Sequence, residues 1–138
     1  MYIFISDSQC PQYSSNTAQD FSVWLDQPLN LIHGKWECAL TEYSIQCTPS
    51  LEKQFLINAS FIAVSNVYGS LQPVLRRISI PSSNTGHHHT VLPVPYYIPV
   101  LDSVNQQLHF TLQPVKLPSP SHSAIKTFSC VLHFKLCE

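Results

Sequence analysis

The chain has 138 residues and a mass of 15.6 kDa, which fits one domain with a hydrophobic core of its own. Only 11% of the residues are charged and the net charge is −1, which excludes charge-driven disorder and any strong electrostatic hold on nucleic acid or an anionic membrane. Because free monomers usually carry more charge for solubility, we expect an assembly to cover part of the surface.

The cysteines and the apolar runs indicate the cellular compartment in which the chain folds. No apolar run approaches the ~18–20 residues of a membrane span, and residues 1–5 lack the basic flank of a signal peptide. The cysteines are odd in number and show no C-x-x-C spacing, so we expect free thiols at Cys10, Cys38, Cys47, Cys130 and Cys137. The sequence therefore predicts folding inside a reducing cell, with no membrane and no nucleic-acid partner.

Alternation of apolar and polar residues with a period of two is the dominant pattern, and it predicts strands along most of the chain. In the first strand Phe21, Val23 and Leu25 share the apolar phase. Further strands are predicted, in chain order, at residues 36–45, 55–67, 74–80, 108–113 and 128–137. Residues 1–15 form either a strand of the same fold or an arm that reaches a neighbour, and the pattern leaves both open.

The strand at residues 36–45 changes its apolar phase part of the way along. The apolar residues are Trp36, Cys38 and Leu40, followed by Tyr43 and Ile45. A β-bulge near Thr41 and Glu42 accounts for the shift. Without it Glu42 would point into the core and would need a partner there.

Eleven prolines and only three glycines separate the predicted strands rather than interrupt them. Helix is limited to one short turn predicted at residues 50–55. About eight strands indicate a β-sandwich or barrel, and the long proline-rich connections favour Greek-key or jelly-roll wiring over tight hairpins. We predict an all-β fold: a single jelly-roll β-sandwich of about eight antiparallel strands over residues 1–138.

The three adjacent histidines at residues 87–89 follow a Ser-Ser-Asn-Thr-Gly stretch that predicts a loop. Imidazoles on an extended chain alternate sides, so three in a row do not converge on one metal ion. His109 and His133 lie on the polar phase of their strands, whereas a cupin-type site needs inward ligands, and His33 and His122 are scattered. We therefore expect solvated or interface histidines and no metal site.

Catalytic signatures are absent from the sequence. There is no G-x-S-x-G elbow, and three glycines do not make a phosphate-binding loop. A general acid/base pair needs two carboxylates on one face, and the sequence offers none with that spacing. The carboxylates that come closest to it are predicted on two strands and at least two faces: Asp20, Asp26, Glu37 and Glu42. The sequence predicts no catalytic residue, no cofactor and no enzymatic activity.

Paired cations and exposed aromatics suggest contacts with other surfaces. Arg76 and Arg77 point to opposite faces of a strand, which favours an ion pair or a subunit contact over a nucleic-acid groove. Trp24 lies on the polar phase of its strand, and Tyr96 and Tyr97 lie among prolines. Such aromatics are enriched in interface cores, although a second sheet or a loop could equally cover them.

Three segments of the chain resemble one family, the penton-type minor capsid proteins of Maverick/Polinton elements, adintoviruses and adomavirus-like agents. The longest match follows that family's N-T-x-x-x-F-x-x-x-L-x-x-P-L-x-L-x-G-x-W-E-V-A-L-x-E opening, with Asn16, Thr17, Phe21, Leu25, Pro28, Leu29, Leu31 and residues 34–42. Residues 97–100 are similar to its Y-V-P-V and residues 131–135 to its V-x-L-H-F-R. The chain departs from the family at residues 42–45, where E-I-x-Y-P is absent, and at Lys135, which replaces an arginine.

The resemblance implies a single jelly roll that assembles as a homopentamer at the fivefold vertices of an icosahedral shell, beside double-jelly-roll major capsid proteins, without enzymatic activity. It implies a place in the virion after assembly inside the host cell, and leaves open whether the nucleus is the site of assembly and whether a fibre or spike docks on the vertex. The motif and core residues are Phe21, Leu25, Gly34, Trp36, Cys38, Leu40, Glu42, Tyr97, Pro99, Leu132 and Phe134, and the period-two pattern adds Phe128 and Cys130.

Two functions of other classes fit the same fold class. One is a β-sandwich module that binds a glycan or peptide through Trp24 and the tyrosines, for which a ligand-dependent change in fluorescence is the evidence to seek. The other is a metal-dependent jelly-roll enzyme that uses the histidines, for which stoichiometric metal is the evidence.

Overall fold

The computed structural model describes residues 1–31, 34–47, 53–67, 69–81, 86–101, 104–115 and 125–137. In these ranges the chain is all-β, as predicted, and no helix there is long and apolar enough to cross a membrane. The strands are β1 Tyr2–Ser6, β2 Asp20–Asn30, β3 Lys35–Cys47, β4 Lys53–Ala59, β5 Ser65–Val67, β6 Ser70–Gln72, β7 Val74–Ile80, β8 His87–Val91, β9 Ile98–Pro99, β10 Val104–Pro114 and β11 Ile125–Cys137.

The strands form two main antiparallel sheets and one small hairpin. Sheet A has the order β1-β11-β3-β8, with β9 also paired to β3, and sheet B has the order β2-β10-β4-β7. Strands β5 and β6 form the hairpin, which pairs with neither main sheet in the part of the chain that the structure describes. The first strand belongs to sheet A through five consecutive pairs with β11, which resolves the open choice between a strand and an arm for residues 2–6.

Aromatic side chains from both sheets meet in one hydrophobic core. The Phe21 ring of sheet B lies 5.3 Å from Phe110 and 6.2 Å from Phe128 of sheet A. The Phe61 ring, in the connection after β4, lies 5.9 Å from Phe110 and 5.8 Å from Phe134. These rings are at most 1% exposed, so the two sheets pack face to face, and the predicted all-β sandwich of antiparallel strands is confirmed.

The predicted β-bulge in β3 is present at Thr41. Leu132 pairs with Leu40 and Val131 pairs with Glu42, so Thr41 has no partner residue in β11. Its hydroxyl donates a hydrogen bond of 3.0 Å to the carbonyl oxygen of Val131. The extra residue turns Glu42 to the outer face, while Tyr43, Ile45 and Cys47 face the core.

The strand predicted at residues 55–67 is wrong in its extent. Strand β4 ends at Ala59, and the chain bends before β5 begins at Ser65. Phe61 and Ile62 are each 1% exposed in this bend, because they close the end of the core against the segment after β9. Of the helical turn predicted at residues 50–55, residues 53–55 begin β4, and residues 50–52 lie outside the described residues.

Candidate assembly surface

The predicted motif residues divide between the core and the surface. Five of them are at most 1% exposed: Phe21, Cys38, Leu40, Leu132 and Phe134. Leu25 is only partly buried where it packs against the core, and the same holds for Trp36, which the sequence predicted as a core residue. The reason is its place near the start of β3, opposite Leu136, which is 49% exposed.

Gly34 lies in the connection between β2 and β3, where its φ is +94°. A side chain at this position would be strained by the left-handed backbone and would meet Leu136 Cδ1. Gly69 has a similar φ of +87°, with open space around it. The glycine of the longest motif is therefore required by its backbone conformation, whereas the half-exposed Leu136 side chain has room to move aside.

The outer face of sheet A carries apolar and small side chains. One row crosses four strands through Phe4, Val131, Glu42 and Val91. Phe4 is 71% and Val91 is 62% exposed, whereas Val131 between them is only 8% exposed. The next row is Ser6, Ser129, Ser44 and His89, and the residues of the two rows other than Val91 line a groove of about 350 Å³.

A cluster of rings covers the other end of this face. The Tyr2 ring stacks on His133 with centroids 4.4 Å apart, and the Tyr97 hydroxyl lies 2.7 Å from His133 Nδ1. Lys135 Nζ lies 3.9 Å from the centre of the Tyr97 ring and 3.8 Å from Glu37 Oε2. Partial burial lowers the pKa of His133, and the positive charges of the N-terminus and Lys135 lower it further.

The three histidines at residues 87–89 lie in strand β8, so the predicted loop is wrong for them. Main-chain pairing with β3 forms this strand, and that pairing does not depend on apolar side chains. His88 pairs with Ile45 on the inward phase, and His89 pairs with Ser44 on the outer face, so the predicted alternation is correct. His89 Nε2 lies 3.7 Å from Glu42 Oε2.

No group of three potential metal ligands converges within the ranges that the structure describes. His109 is exposed on the outer face of sheet B, with its Nε2 atom 2.5 Å from Asp20 Oδ1. His33 and His122 lie outside the described residues, as do residues 82–85 before β8. The described histidines therefore belong to separate contacts rather than to one site.

The exposed aromatics noted in the sequence lie in different places. Trp24 is 44% exposed and pairs with Gln107 on the outer face of sheet B, whereas Tyr97 contacts His133 of sheet A. Tyr96 lies under the Arg76 guanidinium, 3.9 Å from its ring centre. The sandwich thus separates Trp24 from Tyr97 instead of joining them in one binding site.

The two adjacent arginines point to opposite faces, as predicted. Arg76 Nη1 donates a hydrogen bond of 2.8 Å to the carbonyl oxygen of Val94, so its contacts are with the main chain and an aromatic ring. Arg77 donates to Gln54 Oε1 on the neighbouring strand β4. Both contacts tie surface segments of the same chain together.

All five cysteines are free thiols. Cys38 and Cys130 lie between the sheets, and burial raises the pKa of both thiols, that of Cys130 to about 12. Cys137 is half-buried, and its pKa is also raised. The two inward thiols act as small apolar side chains of the core.

The edge strands of sheet A are the feature that the sequence analysis missed. Strand β1 places exposed Tyr2 and Phe4 at a sheet edge without a charged side chain, proline or glycine. The available signal was the uncharged Tyr-Ile-Phe-Ile run at residues 2–5, but its position at an edge depends on pairing with the distant strand β11. No protein-family model, curated protein or solved structure matches this chain.

Proposed function

We propose that this chain is a structural subunit of a virion, of the penton type, that forms homopentamers at the vertices of an icosahedral capsid. The strand order carries the proposal. Eight strands, in the orders β1-β11-β3-β8 and β2-β10-β4-β7, cross between the two sheets at most connections. We infer that this wiring is a single jelly roll, a fold that viral capsid proteins share with lectins and cupins.

The positions of the motif residues support the capsid alternative. Phe21 and Leu40 of the longest match and Phe134 of the last match occupy the shared core, and Gly34 has a backbone that favours glycine. Two proteins with the same fold need similar residues at the same core and turn positions, in the same order along the chain. The motif residues of this chain meet that requirement. A cupin-type metal enzyme has less support, since His109 is exposed and His89 lies on an outer face.

The surface supports a role in assembly. Only 11% of residues are charged, and sheet A exposes Phe4, Tyr2 and Val91 on one face. A closed ring of identical subunits uses head-to-tail contacts, in which two different surfaces of each subunit meet. Exposed apolar side chains on strands at two opposite edges of one sheet suit such contacts.

Light scattering coupled to size-exclusion chromatography tests the proposal. Five copies of the 15.6 kDa chain give a particle of about 78 kDa, and electron micrographs of that fraction are expected to show five-spoked rings. A chain that stays monomeric from micromolar to millimolar concentration and does not associate with a double-jelly-roll coat protein contradicts the proposal.

The glycan- or peptide-binding alternative rests on Trp24, which is 44% exposed on sheet B. It loses the support of Tyr97, which contacts His133 on the other sheet. A monomer whose tryptophan fluorescence shifts with one glycan or peptide, and does not shift after Trp24→Phe, favours this alternative over the capsid role.

A further inference from the structure

One edge of sheet A is open at β1. Asp7 N donates to Phe128 O and Phe134 N donates to Met1 O, so the main-chain groups of odd-numbered residues in this segment face β11. The main-chain N–H and C=O groups of Tyr2 and Phe4 therefore point away from the sheet. Ser6 N points the same way and donates to Gln9 Oε1, which limits the open edge to the first part of β1.

The opposite edge of sheet A is formed by β8. Cys47 N donates to Gly86 O and Leu92 N donates to Thr41 O, so even-numbered residues in this segment face β3. The main-chain groups of His89 and Val91 consequently point away from the sheet. Within the described residues, β8 pairs with no strand other than β3.

Sheet B ends differently, because both of its edge strands carry features that hinder pairing with another chain. Strand β2 contains Asp26 and Pro28, and its register with β10 is irregular between Trp24 and Leu29. Strand β7 contains two arginines and a register shift after Val74. Charges, proline and bulges are the usual protection of sheet edges. Strand β1 carries none of these, and its register with β11 is continuous.

We propose that β1 of one copy pairs antiparallel with β8 of the next copy, so that sheet A continues from subunit to subunit. This inference rests on the proposed capsid function and names the strands that form its ring contact. Both strands have five residues, and they run in opposite directions because β11 and β3 lie between them and each of the three neighbouring pairs is antiparallel.

The pairing has a defined register. Tyr2 lies opposite Val91 of the next copy, and Phe4 lies opposite His89 of the next copy, which brings together residues whose main-chain groups both point outward. All four side chains lie on the outer face of sheet A, as paired residues in an antiparallel sheet must. The contact covers Phe4 and Val91, two of the exposed apolar side chains of that face.

Pairing of β1 with β1 of a second copy is the main competitor. It makes a twofold contact, uses the same strand twice and leaves β8 unpaired, so it ends at a dimer. The β1–β8 contact of a ring instead uses both open edges. It brings Phe4 next to His89 of another copy, whereas β1–β1 pairing brings two β1 strands together.

Disulfide trapping separates these pairings. Phe4→Cys and His89→Cys proteins are prepared singly, mixed and oxidised. Opposite residues in such a pair have Cα atoms about 5.5 Å apart, within disulfide range. Phe4 and His89 of one copy are roughly 16 Å apart, because they are separated by three strand spacings across the sheet and by two residues along it. We expect a dimer that contains one chain of each variant. A dimer that forms from the Phe4→Cys protein alone overturns the proposal in favour of β1–β1 pairing.

Variants at the edge test the same contact without a cross-link. In Phe4→Pro the lost N–H is one that the fold does not use, so we expect an unchanged thermal unfolding midpoint within a few degrees and at least a tenfold weaker association. Phe4→Ala isolates the side chain, and Leu71→Ala is its control, because Leu71 and Phe4 are both 71% exposed and Leu71 lies on the hairpin. We expect Leu71→Ala to change association less than twofold.

The outcomes for the two proposals are distinguishable. Pentamers of the unmodified chain with no cross-link between the Phe4→Cys and His89→Cys proteins, and normal association of Phe4→Ala, leave the capsid function standing and overturn the edge pairing. A strictly monomeric unmodified chain overturns both. If Phe4→Pro fails to fold, the cross-linking result and Phe4→Ala still decide.

Discussion

His133 illustrates how a polar residue on an outward phase becomes part of the structure. The sequence places it on the polar side of β11, and the fold brings Tyr2 from β1 and Tyr97 from the segment before β9 onto its ring. Lys135 and the N-terminus add positive charge nearby, so the neutral imidazole is favoured. This residue therefore links stability to pH.

We expect the free energy of unfolding to fall as the pH decreases below about 6.5, because the unfolded chain then binds a proton that the folded His133 resists. The contribution of His133 to the free energy of unfolding is complete above that pH. It is lost progressively as the pH falls, until the imidazole of the folded chain is also protonated. Lys135→Gln removes one of the causes, so an NMR titration should give a higher pKa for His133 in this variant. Lys126→Gln, on the same strand, is the control; an equal change in both variants contradicts the assignment.

Core residues were the most predictable at this scale. Phe21, Phe128 and Phe134 were identified from period two alone, because inward and outward positions alternate along a strand. The partial exposure of Trp36 was not predictable, since it depends on how far the opposite strand extends beyond the core. The cluster around His133 joins residues 36 positions apart, and neither spacing nor composition encodes that distance.

Strand β3 shows at the element scale how one inserted residue preserves a buried face. Leu40 and Tyr43 both face the core because Thr41 is accommodated in a bulge between them. The bulge was predictable, because a change of apolar phase within one strand has few other physical explanations.

Deleting residues from β3 tests this account. Deleting Thr41 leaves a regular ladder with Leu40 inward and Glu42 outward, so we expect a loss of only about 1–2 kcal/mol from its hydrogen bonds. Deleting Ser44 reverses the faces of Ile45 and Cys47, which should cost at least about 4 kcal/mol. Urea unfolding of the two variants measures the difference, and equal losses are incompatible with a tolerated bulge.

Strand β8 was the least predictable element. Its three histidines have no apolar alternation, and the strand forms because β3 offers it an unpaired edge. The bend after β4 was missed for a related reason, since Phe61 and Ile62 remain apolar where the strand has ended. Periodicity reports which residues are buried, not whether a sheet or a loop buries them.

At the scale of the whole molecule, the outer face of sheet A exposes more large apolar side chains than the outer face of sheet B. The outer face of sheet A exposes Phe4 and Val91, whereas that of sheet B carries Asp20 and His109. This difference, together with the open edges, could not be obtained from the sequence, because it depends on which strands become neighbours. The fold class could be predicted from the sequence, because it depends only on the number and type of strands.

The inward thiols provide a probe of global unfolding. Cys38 and Cys130 are buried, and their raised pKa values leave almost no thiolate at pH 8. We expect a thiol reagent to modify them only through unfolding of the whole sandwich, at least a hundredfold more slowly than Cys137, which is half-buried. Mass spectrometry of labelled peptides over time measures these rates, and similar rates for the three thiols rule out a closed core.

The central place of β11 affects biosynthesis. Strand β11 lies between β1 and β3, so these two strands, which are synthesised before it, have no neighbour in common until residues 125–137 leave the ribosome. Until those residues emerge, a nascent chain carries an incomplete sandwich, with its phenylalanines accessible to chaperones. Stalled ribosomes that hold back β11 offer a way to observe that intermediate.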